Sequence, residues 1–388
     1  MNQFTLLPPS KLPNVGTTIF SIMSALSNEH NAVNLSQGFP DYLCSDRLID
    51  LVTKNMRDGN NQYAPMPGDI LLRQRISEKA EKLYGLSIDP ATDITITAGG
   101  TQAIFTALGA FVHNGDEVII IEPAYDCYKP SIELFGGRAI PYAMQAPDYQ
   151  IDWKALEALI TPSTKMLMFN NPHNPTGQVF SATDIAQLSE IVLKHNLLLI
   201  SDEVYEHLTF DGLQHESVLK YPELFERSMV IFSFGKTYHN TGWKTGYCIS
   251  PAAISQEFRK VHQFNVFSAN TPIQAAYASF MQDENEYLKL PKFFQTKRDY
   301  LLRMMEGSVF KPLSCKGSYF QLFDYSKVSD LDDVEFCKWL IIHHGVAAIP
   351  LSVFYTNPPK DKVIRICFAK KEHTLRQAAD RLKEILIM

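Results

Sequence analysis

Between about residue 93 and residue 250 the chain alternates between two hydrophobic periodicities, and few folds accept that alternation. Short β-rich runs occur at ITIT (94–97), EVIII (117–121), KMLMF (165–169), LLLIS (197–201), MVIFS (229–233) and YCIS (247–250). Between them, apolar residues spaced three and four apart predict helices near 101–113, 126–135, 152–159 and 182–195. Such a succession builds a parallel sheet with helices packed on both faces. Ligands of these sheets collect at the carboxyl ends of the strands, so residues just beyond each run are the first candidates for chemistry.

Beyond about residue 283 the pattern changes. A long helical stretch (284–306) precedes strand candidates SYFQLF (318–323), VAAIP (346–350) and VIRICF (363–368), with helices near 332–343 and 373–386. A chain of 388 residues exceeds the usual domain of roughly 100 to 200. We therefore expect a large ligand-binding domain over 47–282 and a smaller α/β domain over 283–388. The segment 1–46 is too short for its own core and is expected to pack on the small domain.

A formal charge of -6 leaves no broad basic surface, so neither nucleic acid nor an anionic membrane is an expected partner, and a small-molecule substrate fits better. The start MNQFTLLPPSKLP lacks a basic and then apolar leader, and no apolar run approaches the roughly 20 residues that span a bilayer. A cytoplasmic location is expected. Cys44, Cys127, Cys248, Cys315, Cys337 and Cys367 are scattered without CxxC or Cys/His spacing, which predicts reduced thiols and neither a metal site nor a disulfide framework.

Four segments carry candidate chemistry. SFGKTYHNTGWKTGY (233–247) follows a predicted strand and sets Ser233, Lys236 and Lys244 in a glycine-punctuated loop, where one lysine can be a covalent anchor and another an anion ligand, or both simply solvated charges. SDEVY puts Asp202 at a strand end with Tyr205 three residues on; the carboxylate can protonate a pyridine nitrogen or merely cap a helix. NPHNPTG (171–177) combines prolines with Asn174, able to donate to a phenolate oxygen, and reads equally well as a turn. In AGGTQAIF (98–105), the amides of Gly100, Thr101 and Gln102 can converge on an anion at a helix N-terminus, although a plain strand-to-helix turn looks similar. No GxGxxG is present, which disfavours a nicotinamide-dependent dehydrogenase.

Taken in order, AGGTQ, EPAYD, NPHNPTG, SDEVY, SFGKTYHNTGWK and VIRICF resemble the class I/II pyridoxal-phosphate-dependent aminotransferases of fold type I, over nearly the whole chain. NLSQGFPD (34–41), NQYAPMPG (61–68) and PAYDCYKP (123–130) resemble most the methionine and kynurenine aminotransferase branch. The resemblance implies an α/β fold: a large domain with a mostly parallel seven-stranded sheet between helices, plus a smaller α/β domain. It implies pyridoxal 5′-phosphate as cofactor and Lys236 as the residue that holds it as a Schiff base and later moves the substrate proton. Asp202 then pairs with the pyridine nitrogen, Tyr205 and Asn174 donate to the phenolate oxygen, and Tyr125 stacks on the ring. Ser233, Lys244 and the amides of Gly100, Thr101 and Gln102 hold the phosphate, with Tyr63 reaching it from the partner subunit of a homodimer.

On the substrate side the resemblance implies that Arg365 grips the α-carboxylate with help from Asn174 and Gly38. Phe20, Tyr63, Tyr125 and Phe267 line an apolar and aromatic side-chain pocket. Many relatives carry arginine where Lys244 stands, which replaces a two-pronged grip by a point charge. Ser268 stands where kynurenine aminotransferases usually carry histidine, which turns the expectation toward L-methionine and aromatic amino acids, with transfer to a 2-oxo acid in a ping-pong reaction. A kynurenine or glutamine aminotransferase and a cysteine-conjugate carbon–sulfur β-lyase on the same cofactor are the alternatives. A cofactor-binding regulator of transcription would need a helix-turn-helix module, for which the N-terminal segment is too short. Gly38 and Pro40 suggest that this segment closes as a lid.

Overall fold

Strands that are covered on both faces read as continuous apolar runs, and EVIIIE is buried at every position. In the computed structural model, which describes residues 9–386, this run lies inside a seven-stranded sheet. Its strands are β1 (Ile94–Thr97), β2 (Glu117–Glu122), β3 (Arg138–Ala143), β4 (Thr164–Asn170), β5 (Leu198–Asp202), β6 (Ser228–Ser233) and β7 (Gly246–Ile249). They are ordered β1-β7-β6-β5-β4-β2-β3, all parallel except that β7 runs antiparallel to both its neighbours. The fold is α/β, and each strand expected between residues 93 and 250 falls within about a residue of an observed one.

One strand of this sheet, β3, is absent from the β-rich runs of the sequence. It forms the sheet edge, its residues are only partly buried, and Pro141 sits opposite Ile120. Proline is tolerated at an edge because no second neighbour needs its missing N–H. Because both faces of the strand are only partly covered, RAIPYA lacks the alternation that marks a half-buried strand.

Between the strands, Gly100–Phe111, Tyr128–Leu134, Trp153–Glu157 and Ala182–Lys194 form the crossover helices. The last is opened by a capping box in which Ser181 and Asp184 exchange side-chain and backbone hydrogen bonds. The long helical stretch near 284–306 is two helices, Asn285–Leu288 and Leu290–Met305, and Pro291 starts the second, where no intrahelical N–H is needed.

The C-terminal region carries an antiparallel sheet of β8 (Lys311–Pro312), β9 (Phe320–Asp324), β10 (Ile349–Pro350) and β11 (Val363–Cys367), ordered β10-β11-β9-β8. VAAIP divides between two sheets, because Val346–Ala347 pairs in parallel with Val33–Asn34 and only Ile349–Pro350 joins β11. Helix Ile19–Glu29 packs beside helix Asp333–His344, so the N-terminal segment lies against the C-terminal region. Among the described residues no helix is long and apolar enough to cross a membrane.

Candidate active site

Where the carboxyl ends of β4, β5 and β6 meet the N-terminal segment and β11, a cavity of about 360 Å³ opens. It gathers Phe20, Gly38, Gly100, Thr101, Tyr125, Asn174, Asp202, Tyr205, Ser233, Lys236, Lys244 and Arg365, which are dispersed over most of the chain. Asp202 and Ser233 are the last residues of β5 and β6, as expected for a ligand site on a parallel sheet.

Lys236 lies in the helical turn Phe234–Thr237 after β6. Its Nζ donates to the Tyr319 hydroxyl at 2.7 Å and to the Gly38 carbonyl at 3.2 Å. Burial lowers its pKa to about 8, with Arg365 and Lys244 acting in the same direction and Cys367 and Asp202 opposing. An amine so shifted is partly neutral near physiological pH, which a nucleophile and proton carrier requires.

Asp202 is buried, and its Oδ2 accepts a 2.6 Å hydrogen bond from the Tyr128 hydroxyl while Oδ1 accepts from the Val204 amide at 3.3 Å. Burial raises its pKa to about 6 despite these donors and the nearby Lys236. Among the described residues no basic side chain forms an ion pair with it. A buried carboxylate without a cation is costly, so the site favours a ligand that brings a protonated nitrogen to it.

Arg365 presents the converse. It is 1% exposed, on β11 between Leu322 and Ile349, and its pKa is lowered to about 10 by burial. Nη1 donates to Asn174 Oδ1 at 3.0 Å and Nη2 to the Ser36 carbonyl at 3.2 Å, while Nε is buried without a partner. The guanidinium stacks 3.9 Å over the Phe320 ring. A buried fork with unspent donors, near Asp126 but ion-paired with no acid among the described residues, suits a carboxylate arriving from the cavity. Asn174 is itself fixed, its amide donating to Asn170 Oδ1 at 2.7 Å, and because Oδ1 is turned to Arg365 its Nδ2 remains available to donate.

At the other end of the cavity, Gly99 has φ +87° and opens the helix Gly100–Phe111, whose first amides have no intrahelical acceptors. A Cβ added at Gly99 would lie 3.6 Å from Lys244 Nζ, and one at Gly100 would lie 3.1 Å from Val204 Cγ1. These glycines keep open a cradle of amide donors with a lysine beside it, the donor set for a phosphate. The Tyr125 and Thr101 hydroxyls are 3.4 Å apart at its rim. Cation-seeking carboxylate, amine, phosphate cradle and aromatic neighbour together fit pyridoxal phosphate.

Three expected residues do not line this cavity. The Gln102 side chain is engaged elsewhere, its Oε1 accepting from the Ala98 amide at 3.0 Å and its Nε2 donating to Thr106 at 2.5 Å, so only its backbone amide is available at the helix start. Tyr63 is 82% exposed and Phe267 43%, and they pack edge to face at 5.3 Å on the outside of the molecule. Ser268 is turned to the Ala64 carbonyl at 3.0 Å. Conversely, Tyr128 and Tyr319, which touch Asp202 and Lys236, were not singled out from the sequence. Tyr128 lies within the PAYDCYKP motif, three residues beyond Tyr125, and that helical spacing was the available signal.

A family profile, aminotransferase class I and II, matches residues 30–382. The chain is 51% identical to the methionine aminotransferase of Escherichia coli K12 over 386 residues, covering 99% of this chain and 100% of that protein. It is 36% identical to human kynurenine–oxoglutarate transaminase 1 over 395 residues, covering 92% and 93%. A solved Escherichia coli structure described by its methionine aminotransferase function matches with a TM-score of 0.96 at 51% identity, covering 98% of this chain and 100% of that one. The chain belongs to the class I and II aminotransferases. It is a fold type I transaminase whose cofactor is pyridoxal 5′-phosphate.

Proposed function

We propose that the enzyme transfers the α-amino group of L-methionine, and of aromatic amino acids, to a 2-oxo acid. The observation that carries this reading is the buried Arg365 fork, open to the same cavity as Lys236 and flanked by the rings of Phe20, Phe320 and Phe354. It offers an α-carboxylate anchor beside apolar and aromatic surface, and the other basic residues among the described cavity residues are Lys236, the cofactor anchor in this reading, and Lys244 at the phosphate end. The 51% identity to a methionine aminotransferase supports the donor.

Bound pyridoxal phosphate supplies an electrophilic carbonyl and a ring that accepts the electron pair left when Cα loses its proton. Lys236 Nζ would anchor it and, once displaced by the amino donor, would take the proton from substrate Cα and deliver it across the amino nitrogen to the former carbonyl carbon. Asp202 would keep the ring nitrogen protonated, and Tyr128 holds that carboxylate in place. Tyr205 and Asn174 would donate to the phenolate oxygen, and Tyr125 would stack on the ring. Ser233, Lys244 and the amides of Gly100, Thr101 and Gln102 would bind the phosphate. Arg365, Asn174 and Gly38 orient the amino acid, and Phe20 lines its side chain.

The working unit in this reading is a homodimer in which Tyr63 and Phe267 complete the partner's site, supported by their exposure away from their own cavity. A division into 1–46, 47–282 and 283–388 is supported by the two separate sheets and the pairing of Val33–Asn34 with Val346–Ala347. Free cysteines throughout the described residues favour a reducing compartment, the cytoplasm.

Mixing cofactor-loaded enzyme with methionine, without oxo acid, tests the reaction. Conversion of the cofactor to its amine form in the stopped-flow spectrum is expected. An unchanged spectrum with pyruvate accumulating from a β-substituted amino acid would replace this reading by a carbon–sulfur lyase. Borohydride reduction followed by digestion should locate the cofactor on the peptide containing Lys236, and a label elsewhere would remove the mechanism.

A further inference from the structure

The Lys236 amine is held by a hydroxyl whose own proton is already committed. Tyr319 OH donates to the Gly38 carbonyl, which can only accept, so the oxygen turned toward Lys236 Nζ, 2.7 Å away, presents a lone pair. Lys236 Nζ also donates to that same Gly38 carbonyl at 3.2 Å. A neutral primary amine has two N–H bonds and one lone pair. With one N–H on Tyr319 and the other on Gly38, the lone pair is the one position on nitrogen left free for the cavity.

We propose that Tyr319 is a positioning residue that orients the Lys236 lone pair toward the reacting carbon whenever the lysine is released from the cofactor. The inference rests on the Lys236 assignment above and deepens it. A lysine side chain in a cavity would otherwise sample several rotamers, and each misdirected one loses the proton-transfer geometry.

The backbone around Tyr319 is built to aim this hydroxyl. Gly317 is wedged where a Cβ would come within 2.6 Å of Val179 and 2.7 Å of the Leu208 carbonyl. Ser318 takes a left-handed φ of +60°, and its amide donates to the Leu208 carbonyl at 2.9 Å. Such backbone strain in a non-glycine residue persists only where the surroundings enforce it. The Tyr319 carbonyl accepts from the Phe368 amide at 3.0 Å, and its ring is clamped edge-on by Tyr205 at 5.1 Å and Phe320 at 4.9 Å. The loop that carries the hydroxyl is thus fixed to the segment that follows β5 and carries Tyr205.

Because Gly38 belongs to the N-terminal segment, the same triangle links the amine to the part of that segment that lines the cavity. The charged and titratable groups facing Lys236 are Asp202 at the end of β5, Tyr205 in the loop after it, Lys244 before β7, and Arg365 and Cys367 on β11. None of these is hydrogen-bonded to Nζ among the described contacts, whereas the Tyr319 hydroxyl is.

The test is Tyr319→Phe, which keeps the ring and removes one oxygen. In the loaded enzyme kcat should fall about tenfold or more while KM for the amino donor stays within about twofold, since the donor is held elsewhere. In the cofactor-free enzyme, the pH midpoint for reductive methylation of Lys236, read by peptide mass spectrometry, should move down by about one unit, because an acceptor that favours the ammonium is lost. Tyr319→Met, which removes ring and oxygen together, should show the same midpoint and distinguishes the hydroxyl from packing. An unmoved midpoint, or a kcat within about twofold of the parent, overturns the proposal. Borohydride labelling of Lys236 in the parent separates that outcome from a failure of the Lys236 assignment itself.

Discussion

Replacing Arg365 by lysine isolates what the guanidinium fork contributes, because a positive charge remains while the two-pronged geometry is lost. Of the five N–H donors of the guanidinium, one meets Asn174 Oδ1 and one the Ser36 carbonyl, and Nε–H has no partner. An incoming α-carboxylate can therefore take two donors at once, and an ammonium supplies one of these at best. Losing one charge-assisted hydrogen bond in a buried site costs about 1.5 to 3 kcal/mol, or roughly 10- to 100-fold in kcat/KM. The loss should be confined to function. Burial draws the Arg365 pKa down to about 10, so the unoccupied fork weighs on the ligand-free fold by on the order of 3 kcal/mol. Arg365→Met should accordingly melt no lower than the parent when no ligand is present, although it abolishes the anchor. The assay is steady-state kinetics with methionine and with methionine amide, which lacks the carboxylate. The parent should prefer the acid strongly and Arg365→Lys only weakly; a kcat/KM for methionine within twofold of the parent would refute the assignment.

Asp202→Asn should cripple turnover by more than a hundredfold while leaving cofactor affinity less affected, as measured by kcat and by cofactor titration. In the cofactor-free protein the same change should stabilise. A carboxyl raised to about 6 by burial contributes its stability at low pH and loses it as pH rises through 6, so the variant should gain roughly 3 kcal/mol above pH 6 and nothing below pH 4, by thermal melting across that range. Lys79 is buried in an ion pair with Glu206, whose carboxyl is pushed up by burial but held down at about 2 by Lys79 and His207. Lys79→Met should cost about 3 to 5 kcal/mol at neutral pH, and adding Glu206→Gln should recover most of it in denaturant titrations. For Tyr63, mixing Lys236→Ala subunits with Tyr63→Ala subunits should restore activity, since a composite dimer regains one native site; no gain over the separate variants would sink the partner contribution.

Much of the site was legible in the sequence because it lies at strand ends. Asp202 and Ser233 terminate buried β-rich runs, and Asn174 follows another, so the order of strands and loops along the chain marked them. The glycine pair before Thr101 likewise declared a turn into a helix, which backbone sterics alone require.

Other features needed the folded molecule. Edge strand β3 has no clear periodicity because both its faces are only partly covered. Tyr319 and Gly38 meet Lys236 from segments far apart in the chain, and no local pattern records a contact between such distant segments. The exposure of Tyr63 and Phe267 could not be read from their aromatic character, which fits a core equally well. Periodicity in a sequence reports which face of each element is buried, and so this chain's own residues determined its strands, helices and the loops that bear chemistry. Which of those loops converge on one cavity, and which side chains in it are left with unspent donors such as Arg365 Nε, depended on long-range packing.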